Sequence, residues 1–120
     1  MCGICGIVDF SRGDHDLTGS IGAMVESLRH RGPDAQGSVV FTTANAPRAV
    51  ALGALRLAIL DLSEAGRQPM RSADGKVLLV YNGEVYNYRR LRNELEAKGH
   101  TFASRTDTEV VLRLYEEQWC

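Results

Sequence analysis

This chain of 120 residues has no long apolar run, no excess charge of either sign and very little cysteine. Its longest apolar stretches, such as "KVLLVYN" at 76–82, fall far short of the roughly 20 residues a membrane-spanning helix needs. Its 14 Lys and Arg stand against 15 Asp and Glu, and a net charge of −1 gives nucleic acid or an anionic lipid surface nothing to attract. Three cysteines, an odd number with two only three apart, do not build a disulfide framework, so the expectation is reduced thiols. No basic-then-apolar leader opens the chain, which points to a cytoplasmic protein.

What is present is ordinary for a folded domain: 44% of residues are hydrophobic and 24% charged, with no internal repeat, low-complexity segment or linker. One domain over 1–120 is expected. Residues 4–10, "ICGIVDF", read as a short buried strand ended by the turn-forming "SRGDHD". Ile21, Met24, Val25 and Leu28 recur with the spacing of one helical face, and Gly32-Pro33-Asp34 must stop that helix by about Arg31. "GSVVFTT" and "RAVALGALRLAIL" read as two strands joined by the turn "ANAP".

After the turn-rich 61–76, "KVLLVYN" is a third sheet element. A helix follows in "NYRRLRNELEAKGH", with Asn87 as its cap and Gly99 as its stop. Thr106 and Glu109 have capping-box spacing ahead of a last helix with Val110, Val111, Leu114 and Tyr115 on one stripe.

The stretch "MCGICG" poses the chemical question. As a metal motif, Cys2 and Cys5 need more ligands than Cys120 and the scattered His15, His30 and His100 readily offer. As a redox pair they would favour a helix start, where a strand is expected. Cysteine is also a common buried residue, which suits Cys5 and Cys120. Position allows a fourth reading. With Met1 removed, Cys2 carries a free α-amine, whose pKa is ordinarily about 8, beside its thiol. One residue then supplies both nucleophile and base.

Three stretches could complete a pocket. In "YNGEVYN", Asn82-Gly83 is a type I′ hairpin signal, and equally a side-chain amide beside an unobstructed N–H, suited to an oxyanion. In "GALRLAILD", Arg56 within an apolar strand needs an anion, either Asp61 or a substrate carboxylate gripped bidentately. In "RTDTEVV", Asp107 is either helix-terminal decoration or a ligand. Together these residues complement glutamine. Arg56 suits its carboxylate, Glu84 and Asp107 its ammonium, and Cys2 its side-chain amide.

"MCGI", "RHRGPD", "RLAILDLS", "QPM", "NGEVYN" and "RTDTEVV" follow one another across nearly the whole chain. In this order they closely resemble the N-terminal glutaminase domain of asparagine synthetase (glutamine-hydrolysing), a class II glutamine amidotransferase. The resemblance implies an α+β fold of the N-terminal-nucleophile hydrolase type, an αββα sandwich of antiparallel sheets, here truncated. It implies that Cys2 forms a γ-glutamyl thioester and that Asn82 and Gly83 make the oxyanion hole. Arg56, with the backbone of Leu57 and Ile59, would hold the glutamine carboxylate, and Glu84 and Asp107 its amine. Arg31 would support the pocket from its loop.

Two departures accompany the resemblance. Many relatives carry a histidine two positions before the strand arginine, where this chain has Ala54. The family's later glutaminase strands, and a synthetase domain that activates aspartate with ATP and magnesium, are not within these 120 residues. No cofactor or metal is therefore expected in this chain. The ammonia acceptor would come from a synthetase domain or a partner chain. A sandwich without its later strands would expose sheet edges, to be covered by another chain or by a homodimer. A non-catalytic interaction module keeping the first half of the fold, and a C-x-x-C metal or redox site, stand as alternatives.

Overall fold

A computed structural model of the chain describes residues 2–11, 15–42, 49–57 and 63–119. Its first strand, β1 (Gly3–Asp9), has two unlike faces. Cys5 and Ile7 turn toward helix α1 (Leu17–Ser27), where they meet a core of Leu17, Ile21 and Ala51. Ile4 and Val8, on the opposite face, remain 44% and 52% exposed. Helix α1 begins at Asp16, whose carboxylate accepts the Gly19 N–H at 2.9 Å and so satisfies one orphan donor of the first turn. The apolar stripe expected from the sequence is the face laid on the sheet, with Ile21 and Val25 buried and Met24 packed beside them. A 3-10 turn, Arg29–Arg31, ends the segment where Gly32-Pro33 forbids its continuation.

Strands β2 (Ala35–Thr42) and β3 (Ala49–Arg56) complete an antiparallel sheet in the order β1-β3-β2. The register sets Gly3 opposite Leu55 and Ala35 opposite Arg56. Gly53 lets α1 lie close, because a Cβ there would fall 2.5 Å from Val25 Cγ2 and 2.8 Å from Cys5 Sγ. The expected turn "ANAP" and the end of the expected strand after Leu57 lie outside the described residues.

A second, smaller antiparallel sheet pairs β4 (Met70–Arg71) with β5 (Leu78–Leu79). β5 falls in the expected "KVLLVYN", whereas β4 falls in the stretch read as turns, since a two-residue strand carries no periodicity. The pair that turns this hairpin is Asp74-Gly75. Gly75 has φ +73°, and the Asp74 carboxylate accepts from the Ser72 hydroxyl at 2.7 Å and the Lys76 N–H at 3.0 Å. The hairpin reading of Asn82-Gly83 is thereby corrected. A type I′ turn needs positive φ at both central residues, and among the described residues only Gly75 and Gly99 have it.

Helix α2 (Tyr88–Ala97) stops at Gly99, φ +95°, as expected. Asn87 occupies its N-cap position but makes no side-chain cap. Its backbone, at φ −97° and ψ 23°, lies outside the extended geometry that aims a capping group at the first turn. Helix α3 (Asp107–Trp119) shows half of the expected capping box. Thr106 Oγ1 accepts the Glu109 N–H at 3.2 Å, while the Glu109 carboxylate turns to the N–H groups of Ala103 and Ser104 at 2.9 and 2.7 Å. Tyr115, expected on the buried stripe of this helix, is half exposed instead, because burial centres on Thr108 to Val110 and Leu112. The fold is thus mixed α and β with antiparallel sheets. No helix among the described residues is long and apolar enough to cross a membrane.

Candidate active site

The pairing of Gly3 with Leu55 brings Cys2, the residue before β1, to the level of Arg56 at the end of β3. The "HRGPD" segment is fastened to the same strand end. Pro33 bridges to Arg56, and the Asp34 N–H donates to the Arg56 carbonyl at 3.1 Å. From the other side arrive the chain following β5 and the first turn of α3. Between them lies a cleft of about 410 Å³ lined by Cys2, Arg56, Leu57, Asn82, Gly83, Glu84 and Asp107. Every site residue expected from the sequence lines it except Ile59, which lies outside the described residues.

Cys2 is held from two directions. Its carbonyl oxygen accepts from Arg31 Nε at 3.1 Å and from Asn82 Nδ2 at 3.0 Å, while its thiol lies 3.8 Å from the Leu57 carbonyl oxygen. Arg31, expected only as loop support, therefore touches the residue that carries the thiol. Cys5 points the other way, under α1, where burial pushes its thiol pKa up. Strand alternation thus separates the two cysteines of the C-x-x-C motif. No group of three or more His, Cys, Asp or Glu among the described residues could hold a metal ion.

Arg56 is 8% exposed, and its Nη1 donates to the Gly66 carbonyl at 2.7 Å. Gly66 belongs to a short 3-10 turn, Glu64–Gly66, and a Cβ on it would collide with the guanidinium. Asp61, the other partner considered from the sequence, lies outside the described residues. Among the described residues the guanidinium donates to this one neutral carbonyl, which leaves further donors for an anion.

Opposite it, Asp107 is buried in the first turn of α3, and its Oδ2 accepts the Val85 N–H at 2.9 Å. Glu84 is exposed at the same rim. Tyr81 reports the field these acids make. Burial first, then the charges of Asp107 and Glu84, push its hydroxyl pKa up, so the group stays protonated and can donate. The cleft therefore has a cationic pole at Arg56 and an anionic pole at Glu84 and Asp107. Cys2 lines the same space.

Sequence reasoning missed Gln68, Tyr81, Val85, Tyr86, Tyr88 and Thr108, which also line the cleft. Gln68 lies within "QPM", and Thr108 directly follows Asp107, so their neighbourhoods were visible. The tyrosines carried no signal beyond their proximity to Asn82. Tyr86 is 91% exposed at the mouth.

One cleft thus gathers Cys2, the cationic Arg56 and the acids Glu84 and Asp107. The chain belongs to the glutamine amidotransferase domain family, which matches residues 1–119. It is similar to asparagine synthetase (glutamine-hydrolyzing) 3 of Bacillus subtilis, 41% identical over 119 residues, 98% of this chain and 18% of that protein. Asparagine synthetase (glutamine-hydrolyzing) 1 of the same organism is 40% identical over 121 residues, 96% of this chain and 17% of its own length. Amidase chry2 of Gibberella zeae is 35% identical over 125 residues, 97% of this chain and 18% of its own. The chain spans about a quarter or less of the length of the curated relatives it matches.

Proposed function

We propose that this chain hydrolyses glutamine to glutamate and ammonia, as the amidotransferase domain of an asparagine synthetase-type enzyme. The observation that carries the reading is the single cleft shared by Cys2, Arg56, Asn82, Gly83, Glu84 and Asp107. Arg56, aided by the backbone of Leu57 and Ile59, takes the glutamine carboxylate. Glu84 and the remaining lone pairs of Asp107 take its ammonium. Binding at both charged ends fixes where the side-chain amide lies, and an oriented amide near a nucleophile lowers the barrier entropically.

Once Met1 is removed, the α-amine of Cys2 accepts the thiol proton and the sulfur attacks the amide carbon. The resulting oxyanion accepts from the Gly83 N–H and from the second N–H of Asn82, whose first is committed to the Cys2 carbonyl. Collapse breaks the C–N bond. The Cys2 ammonium returns its proton to the leaving nitrogen, and ammonia departs. Water then cleaves the γ-glutamyl thioester, giving glutamate and the free thiol.

The finer fold reading, one sheet of an αββα N-terminal-nucleophile sandwich, is supported by the exposed Ile4 and Val8 on the face away from α1. That uncovered apolar face also supports a homodimer or a contact with a further domain. ATP and magnesium belong to an aspartate-activating synthetase domain. The carboxylates of this cleft suit an ammonium, and no step proposed here uses either group. The ammonia acceptor lies with the synthetase domain or a partner chain.

The test is direct. Intact-mass measurement should show loss of Met1, and the processed chain should release glutamate from glutamine. Glutamate release that persists in Cys2→Ala removes the nucleophile and the reading with it.

A further inference from the structure

Gln68 is 8% exposed and lies in no helix or strand, yet both ends of its amide are engaged. Its Oε1 accepts the backbone N–H of Tyr81 at 2.7 Å, and its Nε2 donates to the Thr108 hydroxyl at 3.4 Å. Tyr81 immediately precedes Asn82, and Thr108 immediately follows Asp107. The main chain of Gln68 is fixed from a third side. Its carbonyl lies against Gly37 of β2, where any Cβ would collide, and Gly37 pairs with Ala54, two residues before Arg56. Packing alone does not call for an amide at this point, because methionine fills a similar volume without burying polar groups.

We infer that Gln68 is a positioning residue, the strut that sets the Asn82-Gly83 segment at its working distance from the Asp107 carboxylate and the Arg56 end of the sheet. Although Gln68 also lines the cleft, its bonds to Tyr81 and Thr108 are the route by which it acts on the site. The Tyr81 bond controls where the Gly83 N–H points, and the Thr108 bond controls where Asp107 sits. The kinetic part of this inference rests on the glutaminase reading; the structural part does not.

The experiment compares Gln68→Met, Thr108→Val and Thr108→Ser in the whole chain, with melting curves confirming that each folds. Gln68→Met should lower kcat/KM for glutamine by about a hundredfold, chiefly in kcat, because a displaced oxyanion donor acts on the transition state. Thr108→Val should raise KM by about tenfold with a smaller change in kcat, and Thr108→Ser should restore wild-type behaviour by returning the hydroxyl. In parallel, NMR of Gln68→Met should show faster exchange of the Tyr81 amide and shifted Asn82 and Gly83 amides.

A folded Gln68→Met with wild-type kcat and KM, or with unmoved Tyr81 and Gly83 amides, overturns the inference. If Gln68→Met fails to fold, identical behaviour of the two Thr108 variants does so. A wild-type chain that leaves glutamine intact overturns the glutaminase reading instead, and the amide measurements then decide the role of Gln68.

Discussion

Asn82 and Cys2 stand 80 residues apart in the chain, and the side-chain amide of the first donates to the carbonyl oxygen of the second at 3.0 Å. Arg31 donates to the same oxygen at 3.1 Å. The two donors differ in what else they do, which makes them separable. Asn82→Ala should lose both the tether and an oxyanion donor, lowering kcat about 100- to 1,000-fold. Arg31→Met loses the tether alone and should lower kcat by about tenfold. Steady-state glutamine hydrolysis checks the ranking, and equal losses would mean that Asn82 contributes nothing beyond the tether.

Gly66 offers a way to move Arg56 without altering its charge. A Cβ on Gly66 collides with the guanidinium that donates to its carbonyl, so Gly66→Ala should push Arg56 out of place. Glutamine KM should rise by about tenfold or more while kcat changes little, the signature of lost ground-state binding. Initial-rate kinetics over a range of glutamine concentrations read both constants.

The seam between α1 and the sheet is tight at Gly53, where an added Cβ would lie 2.5 Å from Val25 Cγ2. Gly53→Ala should cost about 1–3 kcal/mol through overpacking. Gly22 sits in the same helix with nothing within 4 Å of an added Cβ. Gly22→Ala should therefore gain about 0.5–1 kcal/mol from backbone entropy. Urea denaturation of the two variants tests the contrast.

At the other end of β1, the Ser11 hydroxyl and N–H, with His15, hold the Asp9 carboxyl at about 2, below its ordinary 3.8. A carboxyl depressed on folding stabilises the fold above its unfolded value, and that contribution is lost as pH falls through the folded one. The melting temperature should therefore drop between pH 3.8 and about 2, and Asp9→Asn should flatten that part of the profile. A wild-type profile no steeper than that of Asp9→Asn over this window would sink the assignment.

Much of this architecture was legible because periodicity and punctuation agree over long segments. The stripe of Ile21, Met24 and Val25, the stop at Gly32-Pro33 and the αL exit at Gly99 each have one physical meaning. The turn signal of Asn82-Gly83 was not realised, because the dipeptide makes a type I′ turn only with positive φ, and here Asn82 is bonded across the fold to Cys2 instead. Arg56 was legible as a charge within an apolar strand, whereas Asp107 stood open between helix-terminal decoration and a ligand. Arg31 at the Cys2 carbonyl and Gln68 between Tyr81 and Thr108 were not legible, since neither bond leaves a mark at any fixed spacing.

The carbonyl of Cys2 is clasped by groups drawn from two remote stretches of chain, and this orders events during synthesis. The thiol leaves the ribosome well ahead of α3 and its buried Asp107. A nascent chain therefore carries its reactive atom long before it owns a place for a substrate. A cleft that includes Asp107 must wait until translation has delivered α3.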